Sequence, residues 1–347
     1  MRMSIVVNAK KIIAKLSGFI FPVGKKKTRV ELKPWLSHYD VGVPSEIYIP
    51  DITLNDLFKR TVNLHRNQPA FCYFGRIYSF RDFNKAVDRV AAAFQELGLE
   101  KGDRVALILP NTPQFLLSYW AALRIGAIAV PVNPLLSGPE IQTLLTIVEP
   151  RLLIAIDRKY DKIENQLSNC PIQYIVLTSI HSFMSMWARV LFLMKSRTTK
   201  KERPVKSRGI MFEKLLADRI ARPAQSLRPS DTAVLLFTGG VTGTPKAVAL
   251  THKNLVANVL QTRAWMGTLK DGNDIVIGVL PFFHSYGMTA CHHLAIQAGA
   301  LLIVEPRFNA QRVIRLIKKY KVSVFPGVPT MYRAIVDAVI DAKKRLE

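Results

Sequence analysis

Leu235-Leu236-Phe237-Thr238-Gly239-Gly240-Val241-Thr242-Gly243-Thr244-Pro245-Lys246, followed by Ala247-Val248-Ala249-Leu250 and Thr251-His252, is the stretch on which the fold turns. An apolar run enters a Gly/Thr-rich loop, the loop closes on Pro-Lys, and a second short apolar run precedes a helix that Thr251 is placed to cap. The glycines permit positive φ and close backbone approach. Consecutive N–H groups in such a loop form a concavity that suits an anion. The hydroxyls of Thr238 and Thr242 add donors and can face a phosphate-bound Mg²⁺, and Lys246 brings a mobile positive charge. Together these features describe a cradle for a polyphosphate. It differs from a Walker A loop, which needs G-x-x-x-x-G-K-[ST]: counting from Gly240, Pro245 stands before the lysine and Ala247 after it. The plain alternative is a glycine-rich turn.

Outward from this loop, short apolar runs rich in β-branched residues recur at 105–109, 127–130, 152–156, 174–177, 233–237, 275–279, 301–304 and 322–325. Such runs read as strands buried on both faces. Helical periodicity fits 80–97, 113–125, 139–148, 252–266, 287–297, 309–320 and 328–345. The alternation predicts an α/β fold: two adjoining α/β subdomains with mainly parallel sheets. Residues 1–34 are a basic amphipathic arm, 35–230 the first subdomain with a basic insertion at 181–206, and 231–347 the second, incomplete subdomain carrying the loop. A charged stretch over 195–230, with Pro204, Pro223 and Pro229, is the linker candidate.

The 347 residues hold 49 Lys and Arg against 25 Asp and Glu, a formal net charge of +24. The excess is local. Residues 1–34 carry nine basic residues and one acid, 181–206 seven and one, and 307–347 ten and three, so the rest of the chain is nearly neutral. In the arm, Ile5, Ala9, Ile12, Ile13, Leu16, Phe19 and Ile20 share a helical side opposite Lys11 and Lys15. Lys15 interrupts a stretch too short for the roughly 20 apolar residues of a spanning helix, and no small-residue cleavage site follows. An interfacial helix fits, its apolar side at the acyl boundary. Phe183, Met186, Trp187, Val190 and Met194 repeat the pattern, with Arg189 opposite and a basic tract after them; the alternative is a surface helix packed on its own core. The tract at 307–347 reads as an ordinary solvated helix. Neither zinc-finger spacing nor RNP-type aromatics is present, so the charge does not imply nucleic acid. Cys72, Cys170 and Cys291 are isolated, read as buried small hydrophobes, and favour a reducing compartment.

The loop resembles the phosphate-binding signature of the adenylate-forming enzymes, Y-T-S-G-T-T-G-x-P-K-G. Phe237, Thr238, Gly240, Thr242, Gly243, Pro245 and Lys246 match outright or in kind, while Gly239, Val241 and Ala247 depart from it. Tyr78-Ser-Phe-Arg-Asp82, Leu97–Val105, Leu109-Pro-Asn-Thr-Pro-Gln-Phe115, Gly126–Pro134, Leu280-Pro-Phe-Phe-His284-Ser-Tyr-Gly287 and Pro326-Gly-Val-Pro-Thr330 are similar to further segments of the family. The arm, Trp35–Asp40 and the basic insertion are most like bacterial long-chain fatty acyl-CoA ligases.

The resemblance implies two steps: a fatty carboxylate attacks the α-phosphate of ATP, and the thiol of coenzyme A then displaces AMP. It implies phosphate and Mg²⁺ contacts for Thr238 and Thr242, a backbone cradle at Gly239, Gly240, Val241, Thr242, Gly243 and Thr244, and charge neutralisation by Lys246. His284 then orients the carboxylate or guards the acyl entrance, and Phe283, Tyr286 and Gly327 border the acyl site. Phe282, Phe283, Tyr286 and Met288 line a tunnel or pack in the core. His252 reads as a helix start, and the adjacent His292 and His293 lack metal-ligand spacing. A Tyr-Gly-x-Thr-Glu motif, a ribose-binding Asp, a later Arg and a C-terminal Lys of the family do not occur before Glu347. The expectation is therefore the N-terminal portion of such a ligase, inactive without its C-terminal portion. Its partners are a fatty acid and an anionic membrane surface met by residues 1–34 and 181–206. Its place is cytoplasmic, on the inner face of the membrane. A fatty acyl-AMP ligase and a non-catalytic membrane-bound relic are the alternatives.

Overall fold

A computed structural model of the chain describes residues 33–167, 170–197, 209–219, 226–238 and 245–344. Most of the basic arm, the basic tract at 198–208 and the loop residues Gly239, Gly240, Val241, Thr242, Gly243 and Thr244 lie outside the described residues. Residues up to Val41 form a unit of their own, in which Pro34–His38 is a 3₁₀ turn and Ser37 Oγ donates to Pro34 O at 2.7 Å.

In the second unit, β1 (Pro69–Tyr73) turns back through Phe74 and Gly75 into β2 (Arg76–Ser79). β3 (Arg104–Ile108), β4 (Ile128–Pro131), β5 (Leu152–Ile156), β6 (Tyr174–Thr178), β7 (Ile210–Met211), β8 (Thr232–Thr238) and β9 (Lys246–Thr251) build a seven-stranded sheet. Its order is β7-β6-β5-β3-β4-β8-β9, parallel throughout except for the antiparallel β8–β9 pair. β10 (Ile275–Gly278) and β11 (Leu301–Val304) complete a second sheet of order β10-β11-β1-β2, in which β1, β10 and β11 run parallel.

The fold is thus α/β with mainly parallel sheets. The boundary expected at residue 231 does not divide them: β8 and β9 join the strands of the first half, and β1 and β2 join those of the second. An apolar run announces a strand buried on both faces, but it carries no information about which neighbour fills its ladder.

Helices α1 (Leu54–Leu64), α2 (Phe80–Glu96), α3 (Pro113–Ile125), α4 (Gly138–Val148) and α5 (Asp157–Ile163) precede α6 (Met186–Arg197) and α7 (His252–Trp265). Beyond them, α8 (Ser285–Gly287) runs through a π-helical segment, Met288–His293, into α9 (Leu294–Gln297), followed by α10 (Ala310–Tyr320) and α11 (Pro329–Lys344). α3 is apolar on all sides, and every residue except Arg124 is buried, as expected of a helix enclosed by other elements. Thr112 caps its start, Pro113 takes the first position, where a missing N–H costs nothing, and Gly126 ends it at φ +80°. Phe115, Tyr119 and Trp120 of α3 share one core with Phe71 of β1, Val105 of β3, Val234 of β8 and Leu302 of β11, so both sheets feed the same interior. α4 and α5 cover the other face of the larger sheet through Ile141, Leu145, Tyr160 and Ile163. Burying some 25 cal/mol per Å² of apolar surface is what holds these layers together.

Three further expectations meet the structure. Residues 322–325 form a single parallel bridge, Val276↔Val324, instead of a strand. All three cysteines are free and buried. On α6, Ala188 and Phe192 pack on the core while Met186 and Trp187, each 81% exposed, and Val190, Leu191 and Met194 face solvent; Phe183, just before the helix, is buried. Tyr332, Val336, Val339 and Ile340 make a similar exposed apolar face on α11. No helix among the described residues is long and apolar enough to cross a membrane.

Candidate functional site

Three chemistry-bearing segments leave the carboxyl ends of parallel strands, where open α/β sheets place their ligands. After β8 comes the Gly/Thr loop, after β3 comes Asn111, and after β10 comes Pro281–Gly287. β8 and β9 form an antiparallel ladder whose last pair is Thr238↔Lys246. Directly opposed residues in such a ladder stand about 5 Å apart, so the chain from 239 to 245 begins and ends at the same place. Both side chains are exposed. Among the described residues no carboxylate pairs with Lys246, and no hydrogen bond uses the Thr238 hydroxyl. A cation and a hydroxyl with unspent donors at the two ends of a glycine-rich loop fit an incoming polyphosphate.

The root of this hairpin is firmly held. Thr251 caps α7, accepting from Asn254 N, and the Asn254 side chain accepts in return from Thr251 N. His252 is buried, and its Nδ1 accepts from Leu54 N at 3.3 Å, which places the neutral ring's proton on Nε2. Burial pushes its pKa down to about 4, against the pull of Asp231 and Asp56. The expected helix start is thus also the tie between α7 and α1.

The Pro281–Gly287 segment is fastened by a residue the sequence reading did not single out. Asn111 is buried; its Nδ2 donates to Gly278 O at 3.1 Å and Leu280 O at 2.8 Å, and its Oδ1 accepts from Phe282 N at 2.8 Å. Three backbone groups at the end of β10 are thereby satisfied from the end of β3. In the sequence it stands inside Leu109–Phe115, one of the segments similar to the family, as a polar residue between an apolar run and the Thr-Pro start of a helix. At Gly287 a Cβ would lie 2.1 Å from Pro281 O, so only glycine allows the turn to close.

His284 is exposed and caps α8, its Nδ1 accepting from Tyr286 N at 3.3 Å. Phe283 is half-buried against the core. The Tyr286 hydroxyl donates to Gly327 O at 3.4 Å, and Tyr332 packs where a side chain on Gly327 would go. The structure therefore brings Tyr286 and Gly327 together, with His284 two residues before Tyr286. Among the described residues, no hydrogen bond or ion pair joins this group to Thr238 or Lys246.

Behind it, His292 and His293 are fully buried on the π-helical turn, their ring centroids 4.4 Å apart. Burial keeps both neutral, His292 well below the usual range and His293 at about 3. The Tyr119 hydroxyl lies 2.9 Å from His293 Nε2. Among the described residues no group of three or more His, Cys, Asp or Glu is placed to hold a metal.

Residues 58–346 match the family described as AMP-binding enzyme. The chain belongs to this family. It is 32% identical over 306 residues to a long-chain-fatty-acid–CoA ligase of Bacillus subtilis, covering 86% of this chain and 54% of that protein. It is also 32% identical over 315 residues to the protein of the same name from Escherichia coli O157:H7, covering 88% and 56%. The chain thus spans just over half the length of the curated relatives it matches. Among solved structures, a long-chain-fatty-acid-CoA ligase of Archaeoglobus fulgidus superposes with TM-score 0.70 at 24% identity, over 87% of this chain and 56% of that one. An anthranilate CoA ligase in complex with anthranoyl-AMP gives TM-score 0.70 at 22% identity, over 84% and 52%. The shared fold is that of the N-terminal part of adenylate-forming ligases.

Proposed function

We propose that this chain carries the nucleotide-binding and carboxylate-binding part of a ligase that activates a long-chain fatty acid with ATP, giving acyl-adenylate and then acyl-CoA. The observation that supports it best is the hairpin. Thr238 and Lys246 sit as the last pair of an antiparallel ladder, with side-chain donors uncommitted among the described residues, at the two ends of a loop of the family's pattern. Lys246 Nζ would neutralise phosphate oxygens, and the Thr238 hydroxyl would donate to them. Residues 239–244, with Thr242 among them, complete the cradle in this reading. Mg²⁺ would be held by the nucleotide's own phosphates with hydroxyl help from Thr238 and Thr242, as suits an ion that keeps few protein ligands. It would supply charge neutralisation on the phosphate oxygens. His284, exposed and beside Tyr286 and Gly327, would meet the carboxylate, and Phe283 would border the acyl chain. Coenzyme A is the acceptor in this reading.

Calorimetric titration with ATP and Mg²⁺ tests the assignment. Saturable binding is expected, weakened about tenfold or more by Lys246→Ala, the worth of one charge-assisted contact. Absence of saturable ATP binding by the unaltered chain would reject the reading.

The same proposal places the protein on an anionic membrane from the cytoplasmic side, where a fatty acid partitions. The exposed Met186, Trp187, Val190, Leu191 and Met194 of α6 support it, together with the basic residues at 1–34 and 195–206. Flotation with anionic vesicles should fall for Trp187→Glu and for a chain lacking residues 1–34. Equal flotation of all three would discard the membrane role.

A further inference from the structure

A cationic cavity lies away from the hairpin. It has a volume of about 400 Å³, within the range of small-molecule sites. Its walls come from the β1–β2 turn, from β11, from the start of α6 and from one side of α10. On α10, Arg312, Arg315 and Lys319 recur at i, i+3 and i+7, so they form a single stripe along the cavity.

The charges are not balanced locally. Glu305, buried at the end of β11, accepts from Arg312 Nε at 2.5 Å and Arg312 Nη2 at 2.8 Å, so this one carboxylate is fully committed to one cation. Arg312 keeps Nη1 without a hydrogen bond among the described residues, and its guanidinium stacks 4.4 Å from the Phe74 ring. Arg315 and Lys319 have no carboxylate within ion-pair distance among the described residues. The lining therefore holds three cations against one neutralised anion, with the Tyr320 hydroxyl beside them.

The backbone underneath is unusual. Phe74 and Gly75 take φ +45° and +82° in the two-residue turn, positions that ordinarily go to Asn and Gly. A phenylalanine there costs conformational energy, and what it supplies is the aromatic face beneath Arg312. Ser185 pins the turn by donating to Phe74 O at 2.9 Å. Ile303, Leu316 and Ala188 give the cavity an apolar floor.

We propose that this cavity binds a phosphate monoester, with the phosphate between Arg315, Lys319 and the free edge of Arg312 and the organic part on the apolar floor. A dianion matches the two uncompensated charges, and guanidinium favours multidentate phosphate contact. The phosphate's source is a soluble metabolite or a lipid headgroup, and the test separates them. The proposal does not depend on the ligase reading, because none of the lining residues belongs to the hairpin or to the His284 group.

The purified chain is titrated calorimetrically with glycerol 3-phosphate. It is also floated with phosphatidylcholine vesicles containing phosphatidic acid, a monoester, or phosphatidylglycerol, a diester, at matched charge. Arg315→Gln and Lys319→Gln are each expected to weaken the response about tenfold, and to do so equally in a Lys246→Ala background that disables the hairpin. Lys318→Gln, an exposed α10 residue that does not line the cavity, should change nothing, and thermal unfolding checks that the variants are folded. Titration by glycerol 3-phosphate supports the cavity with a soluble ligand. A preference for phosphatidic acid that is lost in the variants supports it with a lipid-borne one. No response to either probe, or a loss shared by Lys318→Gln, overturns it.

Discussion

The Thr238–Lys246 hairpin and the Pro281–Gly287 segment both extend from the carboxyl ends of parallel strands, and they are held in opposite ways. At the hairpin tip the described side chains keep their donors unspent and face solvent. In the other segment the polar groups are spent on structure: Asn111 satisfies three backbone groups, and Gly287 admits Pro281 O where a side chain would collide. The difference separates two demands. In the proposed function, a multiply charged ligand would be met by uncommitted donors, whereas His284 would be aimed by a scaffold that does not move with it.

The sharpest way to break the contrast is Gly287→Ala. Its φ of −65° is ordinary, so the cost is purely steric, and a loss of about 4 kcal/mol or more is expected in denaturant unfolding. Stability within 1 kcal/mol of the unaltered chain would show that the segment adapts. Asn111→Ala comes next. It strands the Phe282 N–H and takes a donor from two carbonyls, of which Gly278 O keeps Glu305 N, and unfolding should register about 3 kcal/mol.

The third test concerns the root of the hairpin, which the contrast at the tip conceals. His252 has a folded pKa near 4, below the usual 6.5, so the fold favours its neutral form. As pH falls through 6.5 the unfolded chain gains a proton that the folded one refuses. Its contribution is therefore intact above 6.5 and lost between 6.5 and 4, on the order of 3 kcal/mol. The slope of stability against pH in this window should flatten in His252→Gln; an unchanged slope would assign the acid sensitivity to His292 and His293 instead. The smallest stability effect belongs to Lys246→Ala, within about 0.5 kcal/mol. A large destabilisation there would mean that the hairpin tip, too, is structural.

How much of this the sequence disclosed follows from the range of the forces involved. The elements with local signatures were legible. Helix 113–125 and strands 152–156 and 301–304 have the bounds their apolar patterns predict, and Thr251 and His252 do start a helix. β1, β2, α1 and β9 were not foreseen. β9 has no buried residue, and the β1–β2 hairpin carries Phe where turn chemistry expects Asn or Gly. The exchange of strands across residue 231 was invisible because parallel pairing leaves no mark on either partner. In the site, Lys246 and His284 could be named from their motifs. Asn111 could not, since its partners lie more than 160 residues away and a single buried amide has no periodicity. His252 was placed but its burial was not, because that depends on α1.

The parallel pairing of Phe71 with Leu302 also has a meaning in time. A ribosome adding about 5–20 residues per second needs roughly 12 to 46 s to make the 230 or so residues between them. Throughout that interval the edge of β1 that will receive β11 stands open beside a finished β2, a template for any other strand that comes by. The seven-stranded sheet can assemble as its strands appear, up to β8 and β9, while the smaller sheet waits for β10 and β11, the last two strands among the described residues. The order of synthesis thus makes the β1 edge the place where this chain is most exposed to mispairing, and where a holding partner during translation would do the most good.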